Sequence, residues 1–170
     1  MSNISMTTSK RNAIVTVMLI SAFVSMLNQT ILNTALPAII KGLNITETTA
    51  QWLITGFMLV NGIMIPLTAF LMDKYSTRHL YIFSMAIFLI GSVVAAVSPT
   101  FSILMISRII QAIGAGILLP LMQFTVFTLF PAEQRGFAMG LAGVVVQSAP
   151  AIGPTLTGLF VDLFSWRMPF

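Results

Sequence analysis

The sequence predicts an all-α protein, a polytopic transmembrane helical bundle of about five spans, from three observations. Hydrophobic residues make up 57% of the 170-residue chain and charged residues only 7%, where soluble domains carry about a quarter charged residues. Mean hydropathy is +0.99, the opposite of the low hydrophobicity and high charge that keep a chain disordered. Polar and proline-bearing stretches divide the chain into apolar runs of roughly 20 residues or more, the length that one spanning helix requires.

A tail over residues 1–12 precedes five spans that fall within residues 13–164, and residues 165–170 read as a truncated lead-in to a sixth span. The first span runs over about 14–39; Lys10 and Arg11 stand before it as in a signal peptide. The apolar run exceeds the ~7–15 residues of a signal core and no small-residue cleavage site closes it. Pro37 is expected to end it, and Lys41-Gly42 to open a loop. The second span covers about 52–71, with Thr46-Glu47 poised to begin its helix and Trp52 as an interfacial anchor. Asp73 to His79 forms a polar turn before the third span at about 80–97, which Ser98-Pro99-Thr100 breaks. The fourth span is the longest, about 103–129, and Pro131 to Arg135 is read as the turn that follows. The fifth occupies about 137–160, ahead of a polar-aromatic tail.

Cations flanking the spans predict orientation. Lys10, Arg11, Lys74, Arg78 and Arg135 fall on one side, Lys41 and Arg167 on the other. This bias places the N-terminus in the cytoplasm and, with five spans, the C-terminus outside a multi-pass protein of the cell membrane. The excess of 8 Lys+Arg over 4 Asp+Glu therefore reads as topology, and without an aromatic-rich basic patch it does not point to nucleic acid. The chain has no cysteine and one histidine, His79, so no metal cluster is expected. No nucleophile elbow, zinc-protease helix or phosphate-binding loop is present, and the chain is not read as an enzyme. Gly114-Ala115-Gly116 lies within an apolar helix, where small residues serve as packing surface.

Arg108 is the most informative residue, about seven residues or roughly 10 Å into the fourth span. An arginine there costs at least ~2.5 kcal/mol and normally faces a bundle interior or an aqueous cavity. It reads either as a proton-relay or substrate-site residue, with Gln111, Gly114 and Gly116 continuing its stripe, or as a side chain snorkelling to the interface. The first span supplies Asn28, Gln29, Thr30, Asn33 and Thr34, either a substrate-facing polar face or interhelical hydrogen-bonding groups. Asn61 and Gln147 fit either network. Pro150 and Pro154 bend the fifth span between Gly140, Gly143, Gly153 and Gly158, giving a kinked packing helix or a hinge.

These residues resemble the N-terminal part of the major facilitator superfamily, in particular the fourteen-span drug:proton antiporters of the lincomycin-resistance-like multidrug branch. Leu27 to Pro37 resembles the first-helix motif, and Ala69 to Arg78 the loop motif between spans two and three. Leu104, Arg108, Gln111 and Gly114 resemble the fourth-helix motif; Gly140, Gly153, Pro154 and Gly158 resemble the antiporter motif; Ser165-Trp166-Arg167 resembles the approach to span six.

The resemblance implies an incomplete N-terminal bundle of the major facilitator fold. It implies a segment of a multidrug efflux antiporter exporting amphipathic, drug-like small molecules, often cationic, with no cofactor and the proton gradient as energy source. Asp73, Lys74 and Arg78 would belong to the loop motif whose charges lock the inward-closed state; Arg108 would assist proton transfer, near Asn28, Gln29, Asn33 and Gln111. The glycines and Pro154 would form a rigid kinked wall. The chain departs from the family pattern at Asn28 and Gln29, amides where many members carry an acid, and Asp162 is a weaker candidate partner for Arg108. Ala69, Ser76, Ala112, Ala149 and Thr157 replace expected glycines, and Thr77 a basic residue. Alternating access requires two bundles, so 170 residues alone are expected not to transport. The alternative is a non-transporting membrane interaction protein that docks a separate C-terminal half or forms a homo-oligomer within the lipid bilayer.

Overall fold

The computed structural model describes residues 7–163, with side chains described to residue 158. Among them are five helices: α1 Thr8–Leu43, α2 Glu47–Lys74, α3 Thr77–Ala96, α4 Phe101–Leu129 and α5 Ala132–Leu163. All five are long and apolar enough to cross a membrane, and the large apolar side chains left exposed, such as Leu59, Leu89 and Val144, suit contact with lipid. The tail residues Ser165-Trp166-Arg167 lie outside the described residues.

The helices extend past the apolar spans because backbone hydrogen bonding continues into the polar flanks. α1 begins at Thr8, α2 reaches Lys74, and Ala132 to Arg135 is the first turn of α5 rather than a loop. Pro37 does not end α1, which continues for six more residues to Leu43. Its ring removes one N–H donor, a loss a membrane helix tolerates when neighbours hold it. The stop falls at Asn44, in the left-handed conformation at φ 51°, rather than at Gly42. The starts of α2, α3 and α4 are set by side-chain caps. Thr46 accepts from the Thr49 amide at 3.2 Å, Ser76 from the His79 amide at 3.4 Å and Thr100 from the Ile103 amide at 3.5 Å. Glu47 and Lys74 stand at the ends of α2 that their charges favour.

α4 is the central element, buried over 56% of its most apolar stretch against 28–39% for the other four. It packs against α2 and α3, while α1 pairs with α5 and crosses α4. Small residues allow these approaches. A Cβ at Gly114 would lie 2.6 Å from the Ser84 carbonyl oxygen, and one at Gly116 2.5 Å from Met64 Cβ. α1 and α3 are joined by Tyr81 Oη and Ser21 Oγ at 2.5 Å. Because Ser21 gives its proton to the Val17 carbonyl at 2.9 Å, Tyr81 is the donor.

Pro120 cannot donate to the carbonyl four residues earlier, that of Gly116. Thr68 on α2 points its hydroxyl there, 3.3 Å from Gly116 O, while also bonding Met64 O at 2.7 Å. Both Thr68 and Gly116 are buried, so the carbonyl that proline frees is covered from the neighbouring helix. Thr68→Val should therefore cost about 1 kcal/mol and clearly less when combined with Pro120→Ala, which restores the helical donor. Thermal unfolding of the four proteins in mild detergent measures this coupling; equal losses in both backgrounds would show that it does not exist.

Candidate functional site

The site begins with Arg108, which has no exposed surface. Its guanidinium does not snorkel. Nη1 donates to Asn28 Oδ1 on α1 at 2.9 Å and to Gln111 Oε1 one turn along α4 at 2.6 Å. The guanidinium carbon stands 4.3 Å from the centre of the Phe57 ring on α2, within cation–π range. Gln111 passes its amide on, donating from Nε2 to Ser92 Oγ on α3 at 2.9 Å. Nε of Arg108 has no hydrogen-bond partner among the described residues.

Each position follows from its helix. Arg108 and Gln111 are three residues apart and so share one face of α4. Leu80, Ser84, Phe88, Gly91, Ser92 and Ala95 form the buried face of α3, a stripe of mostly small residues that lets α3 close on α4. A Cβ at Gly91 would lie 2.7 Å from Gln111 Cγ and 2.8 Å from its backbone nitrogen. Gly91 is thus the position that allows Gln111 to reach Ser92.

Asn28 and Gln29 separate. Successive residues on a helix point about 100° apart, so Asn28 is buried on Arg108 while Gln29 lines a different cavity of about 220 Å³ between α1, α2, α4 and α5. Gln29 shares that cavity with Asn61, Gln147, Met26 and the ring of Phe57. None of the three carboxamides makes a hydrogen bond among the described residues. Phe57 therefore touches both the guanidinium and the cavity. Asn33, expected with this group, is exposed and joins neither set. Phe57 and Ser92 are the partners that sequence reading missed: an aromatic and a serine in apolar helices look like lipid contact and packing. The spacing of small residues at 84, 91, 92 and 95 was the available signal for α3.

Asp73, Lys74 and Arg78 lie at the α2–α3 turn, all exposed, with Lys74 Nζ 4.4 Å from the centre of the Phe70 ring. No ion pair forms among the described residues between Asp73 and Arg78. On α5 the motif glycines do not act alike. Gly153 faces α1, where an added Cβ would meet Thr30 Cγ2 at 2.6 Å, whereas Gly140, Gly143 and Gly158 meet nothing within 4 Å. Pro154 lies within the helix and is exposed. The glycines expected to form one kinked wall thus divide, with Gly153 packed against α1 and the others not. The side chain of Asp162 lies outside the described residues.

The family model of the Major Facilitator Superfamily matches residues 18–170. An uncharacterised MFS-type transporter of Bacillus subtilis, YcnB, is 55% identical over 160 residues, 94% of this chain and 34% of that protein. The lincomycin resistance protein LmrB of the same organism is 44% identical over 153 residues, 90% of this chain and 32% of that protein. The probable multidrug resistance protein EmrY of Escherichia coli is 35% identical over 151 residues, 89% of this chain and 30% of that protein. The chain thus spans about a third of the length of the curated relatives it matches.

The geometry ranks the polar contacts. Asn28→Leu removes an acceptor from a buried cation and should cost about 1.5–3 kcal/mol, whereas Ser92→Ala removes one neutral bond worth about 1 kcal/mol. Chemical denaturation followed by circular dichroism in mild detergent gives both numbers. A loss at Ser92 equal to or greater than that at Asn28 would contradict the ranking.

Proposed function

The chain belongs to the Major Facilitator Superfamily, and from that premise we propose that it serves as the N-terminal segment of a proton-coupled multidrug efflux antiporter in the cell membrane. The observation that carries the proposal is Arg108, wholly buried, bonded only to neutral groups and stacked on the Phe57 ring, which also lines a mostly apolar cavity holding three carboxamides. Charges at this depth in a membrane bundle mark substrate or ion pathways. Arginine does not release its proton. Its role is that of a fixed positive charge that favours the ionised form of a carboxylate brought near it, so that protonation and deprotonation of that acid follow the conformational cycle. With Asn28 in place of an acid, Arg108 is bonded to no carboxylate among the described residues, and the titrating group is supplied from elsewhere in the transporter.

Amphipathic, drug-like molecules are the proposed substrates, as the printed names of LmrB and EmrY suggest for those proteins. The cavity between α1, α2, α4 and α5 forms one wall of their path. The exposed Asp73, Lys74 and Arg78 are available to a charge network at the α2–α3 turn, on the side proposed to be cytoplasmic together with the N-terminus. Gly140, Gly143 and Gly158, facing open space, favour a further helix against α5. That helix belongs to the same polypeptide or, in the second reading, to a partner chain or a second copy. One wall does not make an alternating-access pathway, so the 170 residues alone bind but do not transport.

Drug-hypersensitive cells test the proposal with two proteins: this chain alone, and a chimera joining it to the remaining two thirds of LmrB. The chimera should export drug in a manner abolished by a protonophore, and the chain alone should not. In the chimera, Arg108→Gln should lower efflux at least tenfold at equal membrane abundance. Efflux by the chain alone, or full activity of the Arg108→Gln chimera, would overturn the assignment.

A further inference from the structure

We propose that the cavity lined by Gln29, Asn61 and Gln147 selects neutral, hydrogen-bonding amphiphiles and disfavours permanent organic cations. The inference rests on the reading of this cavity as a substrate wall and names its substrate class.

Three features determine the selection. The first is hydrogen-bonding capacity. Each carboxamide offers two donors and an acceptor oxygen, and none is used within the described chain. Three such groups around about 220 Å³ match carbonyl, phosphoryl and hydroxyl groups; Gln29 and Asn61 are half-buried and Gln147 is exposed, and a ligand that covers them without pairing leaves them unsatisfied.

The second is charge. Glu47, Asp73 and Glu133 all stand in terminal turns of their helices, so no described carboxylate lines the cavity or pairs with Arg108. Asp162 is about 22 Å farther along α5 than Gln147 by the helical rise. The charge in contact with the cavity's lining is thus the guanidinium stacked on Phe57. Its partners Asn28 and Gln111 are dipoles that orient toward it without cancelling its charge. In a low-dielectric bundle that field extends across a single ring, raising the energy of a cation and favouring the negative end of a ligand dipole.

The third is the aromatic wall. Phe57 would be the natural partner for a cationic drug, but one face of its ring already holds Arg108 at 4.3 Å. A second cation on the opposite face would share the same quadrupole and meet like-charge repulsion.

A size-matched pair of probes tests the inference: triphenylphosphine oxide, neutral with one strong acceptor oxygen, and methyltriphenylphosphonium, a permanent cation. Both are titrated by equilibrium dialysis against the purified full chain in dodecyl maltoside, with partition into protein-free micelles subtracted. The neutral probe should bind saturably and at least tenfold tighter than the cation. Asn61→Leu/Gln147→Leu, which disturbs no hydrogen bond of the fold, should weaken the neutral probe at least tenfold and leave the helical circular dichroism unchanged. Equal or tighter cation binding that the double variant abolishes would overturn the selectivity while leaving the cavity as a binding wall. Saturable binding of neither probe, or binding the double variant leaves intact, would remove the cavity from both readings.

Discussion

A guanidinium inside a membrane bundle must find its solvation in the protein, and that requirement ties the helices together. Inserting such a charge costs at least about 2.5 kcal/mol, a cost the surroundings of Arg108 offset with Asn28 from α1, the Phe57 ring from α2 and Gln111 from α4 itself. Gln111 in turn engages Ser92 from α3. Four of the five helices are therefore fixed at one height by a single side chain and its relay. Only α5 stands outside this arrangement, held instead along α1 through the close approach of Gly153 to Thr30.

Much of this was legible in the sequence because the membrane simplifies the code. Long apolar runs become helices when no water is present to satisfy an open backbone, and a lone arginine in such a run either turns inward or snorkels to the interface. What remained hidden depended on direction. Asn28 and Gln29 are chemically alike and adjacent, yet the turn of the helix sends one to the charge and the other to the cavity. Asn33, on the same polar stretch, is exposed. Proline and glycine misled at the end of α1, because Pro37 is tolerated within a membrane helix and Asn44 supplied the left-handed stop that Gly42 was expected to give. Ser92 and Phe57 were hidden because nothing in an apolar context marks a residue as the partner of a distant charge.

The position-by-position match to the family divides along similar lines. Arg108, Gln111 and Gly114 form one continuous buried strip on α4. The antiporter-motif glycines split between a filled contact at Gly153 and open space at Gly140 and Gly158. A shared motif on one helix thus serves two different surfaces. Small residues selected for close approach look identical in sequence whichever neighbour they admit.

The contact of Thr68 with the Gly116 carbonyl bears on how α2 and α4 are able to move. Helices in contact through apolar side chains alone can slide along one another in small shear steps. Here the loose carbonyl occurs at one height on α4, because only Pro120 leaves it loose, and α2 presents the matching hydroxyl at one height as well. Displacing α2 by a turn would strand the acceptor in a water-free interior. The two helices are keyed at this height, and axial slippage between them costs the bond.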